Sequence, residues 1–210
     1  MVGQGVLREC LASPDVEAVL SVGRGETGQR HEKLREIVRR DLADFAPIEA
    51  ELAGHDACFF CLGVSSAGLS EADYARVTYD IAAAAVRSLS KQSPGLTFVF
   101  VSGAGADSTE QGRTMWARVK GKAENMVLRA PFKASYVFRP ALIRPLHGIR
   151  SKTALYNALY AVMGPAFPAL KALFPRHVTT TEMVGRAMLR VAKEGAKKRV
   201  LEQGDINELA

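Results

Sequence analysis

The sequence is poor in the residues that announce metal, disulfide or triad chemistry. Only three cysteines occur, Cys10, Cys58 and Cys61. Their odd count and low density exclude a disulfide scaffold and point to a reducing compartment. Cys58-Phe-Phe-Cys61 has redox or zinc spacing, but it lies within an apolar run that reads as a strand. Positions three apart on a strand face opposite sides, and no second Cys/His pair follows, so both are read as core thiols. The four histidines, His31, His55, His147 and His177, are scattered through predicted loops. They have no metal-ligand spacing and support no nucleophilic triad.

Long apolar runs are also scarce. The longest uncharged stretch, Thr153 to Leu170, is broken by Gly164-Pro165 and Pro168. It reads as a buried or surface-packed helix pair rather than a membrane span. No secretory leader, internal repeat or low-complexity tract is visible, and a cytoplasmic location is expected. The basic segment Lys193 to Arg199 lacks interleaved aromatics and reads as a solvated helix end, so no nucleic-acid partner is expected.

What is present is a long alternation of two hydrophobic periods. The 210 residues are 48% hydrophobic and 24% charged, enough for one substantial core, with a formal net charge of +6 that suits an anionic ligand. The reading begins with a helix over Gly3 to Ala12. Strands follow over Glu17 to Arg24 and Leu34 to Val38, then a short helix over Pro47 to Leu52 and a strand over Asp56 to Leu62. A long helix spans Ser70 to about Ser90, with Tyr74, Val77, Ile81, Ala85 and Leu89 as its apolar face. Leu96 to Ser102 is a strand, Thr114 to Leu128 a helix and Ser135 to Arg139 a strand, before a helical region over Ser151 to Leu173. Thr179 to Glu182 has capping-box spacing ahead of a helix carrying Val184, Ala187, Met188 and Val191. Arg199 to Glu202 reads as a last strand.

This order implies an α/β fold with a parallel sheet and right-handed crossovers. Ligands of such sheets sit beyond the carboxyl ends of the strands. Those ends are Gly23-Arg24, Leu62-Gly63-Val64-Ser65, Ser102-Gly103-Ala104 and Arg139-Pro140-Ala141.

With Val2-Gly3-Gln4-Gly5, Val119-Lys-Gly121, Glu124 and Phe138-Arg-Pro140, these strand ends resemble the atypical short-chain dehydrogenase/reductases, specifically their Tat-interacting-protein-like branch. The resemblance covers nearly the whole chain. It implies a Rossmann-like, doubly wound sheet in a single domain over 1–210. A small helical substrate or lid region would occupy about 144–195. Such proteins open with a strand and Gly-x-x-Gly-x-x-Gly, whose turn lets backbone approach a pyrophosphate. Here Gly3 matches only the last glycine. The first strand, normally central in the sheet, is lacking, which suggests a misplaced start, a shortened chain or a degenerate gene. Gly3 and Gly5 are equally open to a reading as sites of close helix packing.

The resemblance further implies NADP as cofactor, with NAD less favoured. Arg24 follows the strand expected near the adenosine ribose, where an arginine can pair with a 2′-phosphate and an acidic residue would select NAD. Arg30 is in the same loop, and a solvated loop arginine is the plain alternative. Leu62, Gly63 and Val64 would pass the adenine-ribose and pyrophosphate side, and Arg139, Pro140, Ala141 and Leu142 would border the nicotinamide through backbone. Short-chain reductases commonly use Ser, Tyr and Lys, with tyrosine and lysine four apart on one helix face. Trp116-Ala-Arg-Val-Lys120 occupies that place. The indole N–H donates but does not titrate usefully. Lys120 is therefore read first as a ribose ligand, and Ser102 matches the serine.

Two functions remain open at this point: an NADP-dependent oxidoreductase of unknown small-molecule substrate, and a nucleotide-sensing or protein-interaction module without turnover. A peripheral membrane contact or a homo-oligomer formed through the apolar stretch 154–173 is a third, weaker expectation.

Overall fold

The computed structural model describes residues 1–149 and 178–210. The helical region expected over 151–173, and most of the expected lid region, lie outside the described residues.

The chain starts with α1 (Val2–Ala12). Two parallel strands follow, β1 (Val19–Gly23) and β2 (Leu34–Val38). A 3-10 helix (Ala46–Leu52) leads to β3 (Ala57–Phe60). Then come α2 (Glu71–Ala75), a π-helical turn (Arg76–Asp80), α3 (Ile81–Gln92), β4 (Thr97–Val101), α4 (Met115–Leu128) and β5 (Ala134–Arg139). β6 (Leu142–Arg144) pairs with β7 (Val178–Thr180). The chain closes with α5 (Thr181–Glu194), β8 (Val200–Glu202) and α6 (Gln203–Leu209). All strand pairings are parallel, as the alternation of strand and helix requires. The main sheet has the order β3-β4-β5-β8, and β1-β2 forms a separate pair. This is the doubly wound α/β architecture read from the sequence, with the β1-β2 pair separate from the four-stranded sheet among the described residues.

β4 is the centre, and all five of its residues are buried. Its side chains alternate between two cores, because successive residues of a strand face opposite sides. Phe98 and Phe100 join Phe60, Ile48, Val86, Leu89 and Val127 beneath α3, α4 and the 3-10 helix. Phe60 stacks on Phe98 and Phe100 with ring centroids 6.0 and 5.7 Å apart, and Phe98 stacks on Phe132 at 5.2 Å. Val99 and Val101 join Val6, Cys10, Phe138, Val184, Met188 and Ile206 beneath α1, α5 and α6. Each such side chain contributes about 1.5–3 kcal/mol by leaving water. Burial pushes the thiols of Cys10 and Cys58 up to about 12 and that of Cys61 higher still. This agrees with their reading as core thiols.

Several details depart from the sequence reading. The helix over 70–90 contains a π turn, and its buried face runs through Tyr74, Thr78, Ala82, Ala85 and Leu89. Val77 and Ile81, expected on that face, are half-buried. The four-residue spacing from 74 to 82 exceeds one α-helical turn, and the wider turn absorbs the excess. The cap of α5 is Thr180, whose hydroxyl accepts from the Met183 N–H, so the helix starts one residue later than the spacing at Thr179 suggested. α6 was not expected. It starts in a capping box made by Glu202 and Asp205.

Two close contacts set the helix positions. A β-carbon on Gly121 of α4 would lie 1.7 Å from the Asp107 carbonyl oxygen, and one on Gly5 of α1 would lie 2.6 Å from Thr181 Cβ. Glycine lets the loop after β4 rest on α4 and lets α1 cross α5. The packing alternative for Gly5 is thus realised. A fork holds α4 to the sheet. Arg139 at the end of β5 donates Nε to Glu124 Oε1 at 3.0 Å and Nη2 to Oε2 at 2.5 Å, with Nη1 3.0 Å from Glu202 of β8. Glu124 is fully buried, and this pairing raises the guanidinium pKa above its ordinary value. Bidentate charge-assisted geometry is what makes such burial tolerable.

Gly121→Ala is expected to destabilise the protein by about 2 kcal/mol or more, because the obstructing atom is backbone and cannot swing away. Urea denaturation checks this. Glu124→Ala leaves the part-buried Arg139 charge without its main partner. A loss of about 3–5 kcal/mol is expected in the same assay, and Glu124→Gln should lose less.

Candidate functional site at the carboxyl edge of the sheet

The loops after β3, β4 and β5 form a connected edge. Ser102 N–H donates to the Phe138 carbonyl at 2.8 Å and Ala104 N–H to the Pro140 carbonyl at 3.0 Å, which tie the β4 and β5 exits together. Ala141 N–H donates to Gln203 Oε1 at 2.7 Å, and Leu142 enters β6. The loop after β4 is fixed by Asp107, whose carboxylate accepts from the Thr109 and Gly112 N–H groups and the Thr109 hydroxyl. Those bonds hold its pKa below the usual carboxylate range.

Lys120 projects from α4 into this edge. Its Nζ donates to the Val101 carbonyl at 3.3 Å, stands 5.2 Å from the Phe100 ring centroid, and would lie 3.9 Å from a β-carbon on Gly63. The side chain is buried at 8% exposure. No carboxylate lies within ion-pair distance of Nζ among the described residues. Burial lowers the ammonium pKa from its ordinary 10.5 to about 8, partly opposed by the field of Glu124 one turn on. Beside it the Ser102 hydroxyl oxygen is buried without a hydrogen-bond partner among the described residues. A buried cation and a buried hydroxyl left with spare hydrogen-bonding capacity are costly unless a ligand uses them.

The structure therefore brings Ser102, Lys120 and Gly63 together, with Leu62 half-buried and Val64 beside them on the β3 exit. Arg24 follows β1 and is exposed, as is Arg30. Gly3 opens α1 at the same edge, where a β-carbon would lie 3.2 Å from Cys61 Cβ. The Arg139 side chain points the other way, onto Glu124, Glu202 and Ser108, so only the backbone of Arg139 and its neighbours Pro140, Ala141 and Leu142 is available to a ligand. Trp116 lies in the first turn of α4 against Gly105, 3.5 Å from the position of a β-carbon there. Glu124 and Asp107 are the positioning residues that sequence reasoning did not assign. The four-residue step from Lys120 to Glu124, which puts both on one helix face, was the available signal for the first.

The residues present fit a phosphorylated, hydroxyl-rich ligand: a buried lysine, a serine hydroxyl without a partner among the described residues, and a glycine exit beside them, with an exposed arginine following β1. No cluster of three acidic, histidine or cysteine side chains that could hold a metal ion occurs among the described residues.

No known family profile matches the chain. It is similar to "Protein FMP52, mitochondrial" of Debaryomyces hansenii, 27% identical over 213 residues that span 98% of this chain and 87% of that protein. It is also similar to "Protein FMP52-2, mitochondrial" of Scheffersomyces stipitis, 30% identical over 145 residues, 67% of this chain and 61% of that protein. The expected cytoplasmic location is corrected by these relatives, both of which carry a mitochondrial designation. Reduced cysteines report a redox state, which does not identify a compartment. Among solved structures, the enzyme WbmF of Bordetella bronchiseptica in complex with NAD+ superposes with a TM-score of 0.67 at 14% identity, covering 99% of this chain and 73% of that one. A short chain dehydrogenase family protein of Francisella tularensis gives 0.67 at 14%, covering 97% and 93%. The chain thus has the Rossmann-like α/β fold of the short-chain dehydrogenase type.

Proposed function

We propose that this protein binds a nicotinamide dinucleotide, NADP in preference to NAD, across the carboxyl edge of its sheet, as an oxidoreductase-like protein of the atypical short-chain type. The single observation that supports this best is Lys120, a buried ammonium at the β4 exit, next to the Ser102 hydroxyl, neither the lysine having a carboxylate partner nor the hydroxyl a hydrogen-bond partner among the described residues. Membership of the Tat-interacting-protein-like branch belongs to the same proposal.

In this reading Lys120 donates to the ribose hydroxyls of the nicotinamide half. Gly63 lets the backbone approach the adenosine side, and Arg24 pairs with the 2′-phosphate. The backbone of Arg139 to Leu142 borders the nicotinamide. When bound, the cofactor supplies or accepts hydride. Ser102 is placed to orient a substrate carbonyl. Trp116 stands where a tyrosine would move the proton, and its indole cannot titrate. That observation favours a second reading, nucleotide sensing without turnover. An NADPH-oxidation assay over a broad panel of carbonyl compounds separates the two. Binding without oxidation selects the sensor.

Lys120→Met should weaken NADPH binding by about ten- to a hundredfold, the worth of a hydrogen bond to a charged group, while stability at pH 7 is unchanged or higher. Calorimetric titration and thermal melting read the two effects separately. Unchanged affinity refutes the role. The same lysine sets a pH dependence. Its folded pKa lies below the unfolded one, so the unfolded chain binds more protons between about 8 and 10.5. Its contribution makes stability rise with pH through that window, and the burial cost is fully present below it. Dinucleotide affinity should fall as pH rises through about 8. Arg24→Glu should lower NADPH affinity by about tenfold or more and leave NADH affinity nearly unchanged. A parallel fall for both would remove Arg24 from the 2′-phosphate.

A further inference from the structure

We infer that the cleft at the amino end of β5, at the opposite end of the sheet from Lys120, is a second ligand site, and that it takes a small phosphate monoester. The cleft has a volume of about 390 Å³, and Leu128, Ala130, Phe132, Lys133, Ser135 and Arg199 are among its lining residues. That volume is in the range of small-molecule sites.

The strand register creates the opening. β5 starts at Ala134, but its pairing with β8 starts only at Val137. Ala134, Ser135 and Tyr136 thus extend beyond the partner strand. Arg199, the residue before β8, reaches into the gap. Its Nε donates to the Ser135 carbonyl at 3.2 Å, and its Nη2 donates to the Leu128 carbonyl in the last turn of α4. These bonds use two of the guanidinium's donors, and the others remain for a ligand. Ser135 is in register with Phe98, so its side chain lies on the sheet face where Phe98 stacks on Phe132. It is 2% exposed, and its hydroxyl oxygen is buried without a hydrogen-bond partner among the described residues. A hydroxyl so placed is costly unless something bonds to it.

The charge at the cleft is of one sign. Leu128-Arg-Ala-Pro-Phe-Lys133 and Gly195-Ala-Lys-Lys-Arg199 carry Arg129, Lys133, Lys197, Lys198 and Arg199 and no acidic residue. Among the described residues only Lys198 of these has an ion-pair partner, Asp205. The carboxyl end of α4 calls for a cation, and Arg199 already serves it, so the other charges are surplus to that role. A tetrahedral phosphate can accept from a guanidinium, an ammonium and a hydroxyl together. The cleft exceeds a bare ion, and Leu128, Ala130 and the ring of Phe132 give it an apolar wall. These features select an ester with an apolar organic part. The site shares no residue with the dinucleotide edge, so the two readings fail separately.

Titration of the full chain without nucleotide, followed by two-dimensional amide NMR spectra at an ionic strength held constant with chloride, tests this. The probes are phenyl phosphate and inorganic phosphate. Phenyl phosphate should shift the amide resonances of 128–136 and of Arg199 saturably, with an affinity about tenfold above that of inorganic phosphate. Lys133→Met and Ser135→Ala should each weaken its binding by about tenfold. Without ligand, Ser135→Ala should melt at the same temperature or higher, because it removes a buried hydroxyl that has no partner. Four results would overturn the inference: shifts that chloride alone reproduces, shifts confined to the β3 and β4 exits, inorganic phosphate binding as tightly as the ester (an adventitious ion only), or an affinity unchanged in both variants.

Discussion

The buried fork between Glu124 and Arg139 is the interaction on which the candidate site depends. An ion pair of this kind gains little stability over an apolar substitute, because both charges must leave water. Its effect is positional. Two parallel N–H···O bonds fix the rotation and height of α4 against the ends of β5 and β8. Lys120, one turn earlier on the same face, is thereby held with its ammonium at the β4 exit. The carboxylate that accepts from Arg139 also opposes the desolvation of Lys120 through its field, so one residue both places the lysine and favours its charged form.

A second constraint comes from the backbone. Gly121 brings the Asp107 loop onto α4, and Asp107 then collects the N–H groups of that loop. Ser102 and Lys120 are therefore approached from opposite sides by rigid elements: the β4–β5 exit bonds on one, and the helix with its loop on the other. Placement on regular structure and on a loop closed by its own carboxylate gives the preorganisation that recognition of a charged ligand needs.

Much of this was legible in the sequence. Continuous apolar runs such as Phe98 to Val101 declared strands covered on both faces. The strand exits marked the edge where Ser102, Gly63 and Lys120 meet. What was not legible depended on tertiary partners. Glu124 stood in the sequence as one mark of the family resemblance with no role attached, and only the fold reveals that Arg139, fifteen positions on, turns away from the ligand edge to meet it. The π turn at Arg76–Asp80 was hidden because its cause is a buried face spaced slightly too widely for an α-helix, which a few residues cannot distinguish from ordinary scatter. The β6–β7 pair, three residues on each side, is too short to carry a periodicity. The compartment was misjudged because the lack of a visible secretory leader and the thiol content were asked to report location.

The central claim is that the carboxyl edge at Lys120 receives a dinucleotide. A crystal structure of the protein grown with NADPH tests it most directly. The account predicts ribose hydroxyls within hydrogen-bond distance of Lys120 Nζ, with the 2′-phosphate toward Arg24. A dinucleotide bound away from the β3 and β4 exits, or an unliganded Lys120 still on the Val101 carbonyl at saturating NADPH, would contradict it.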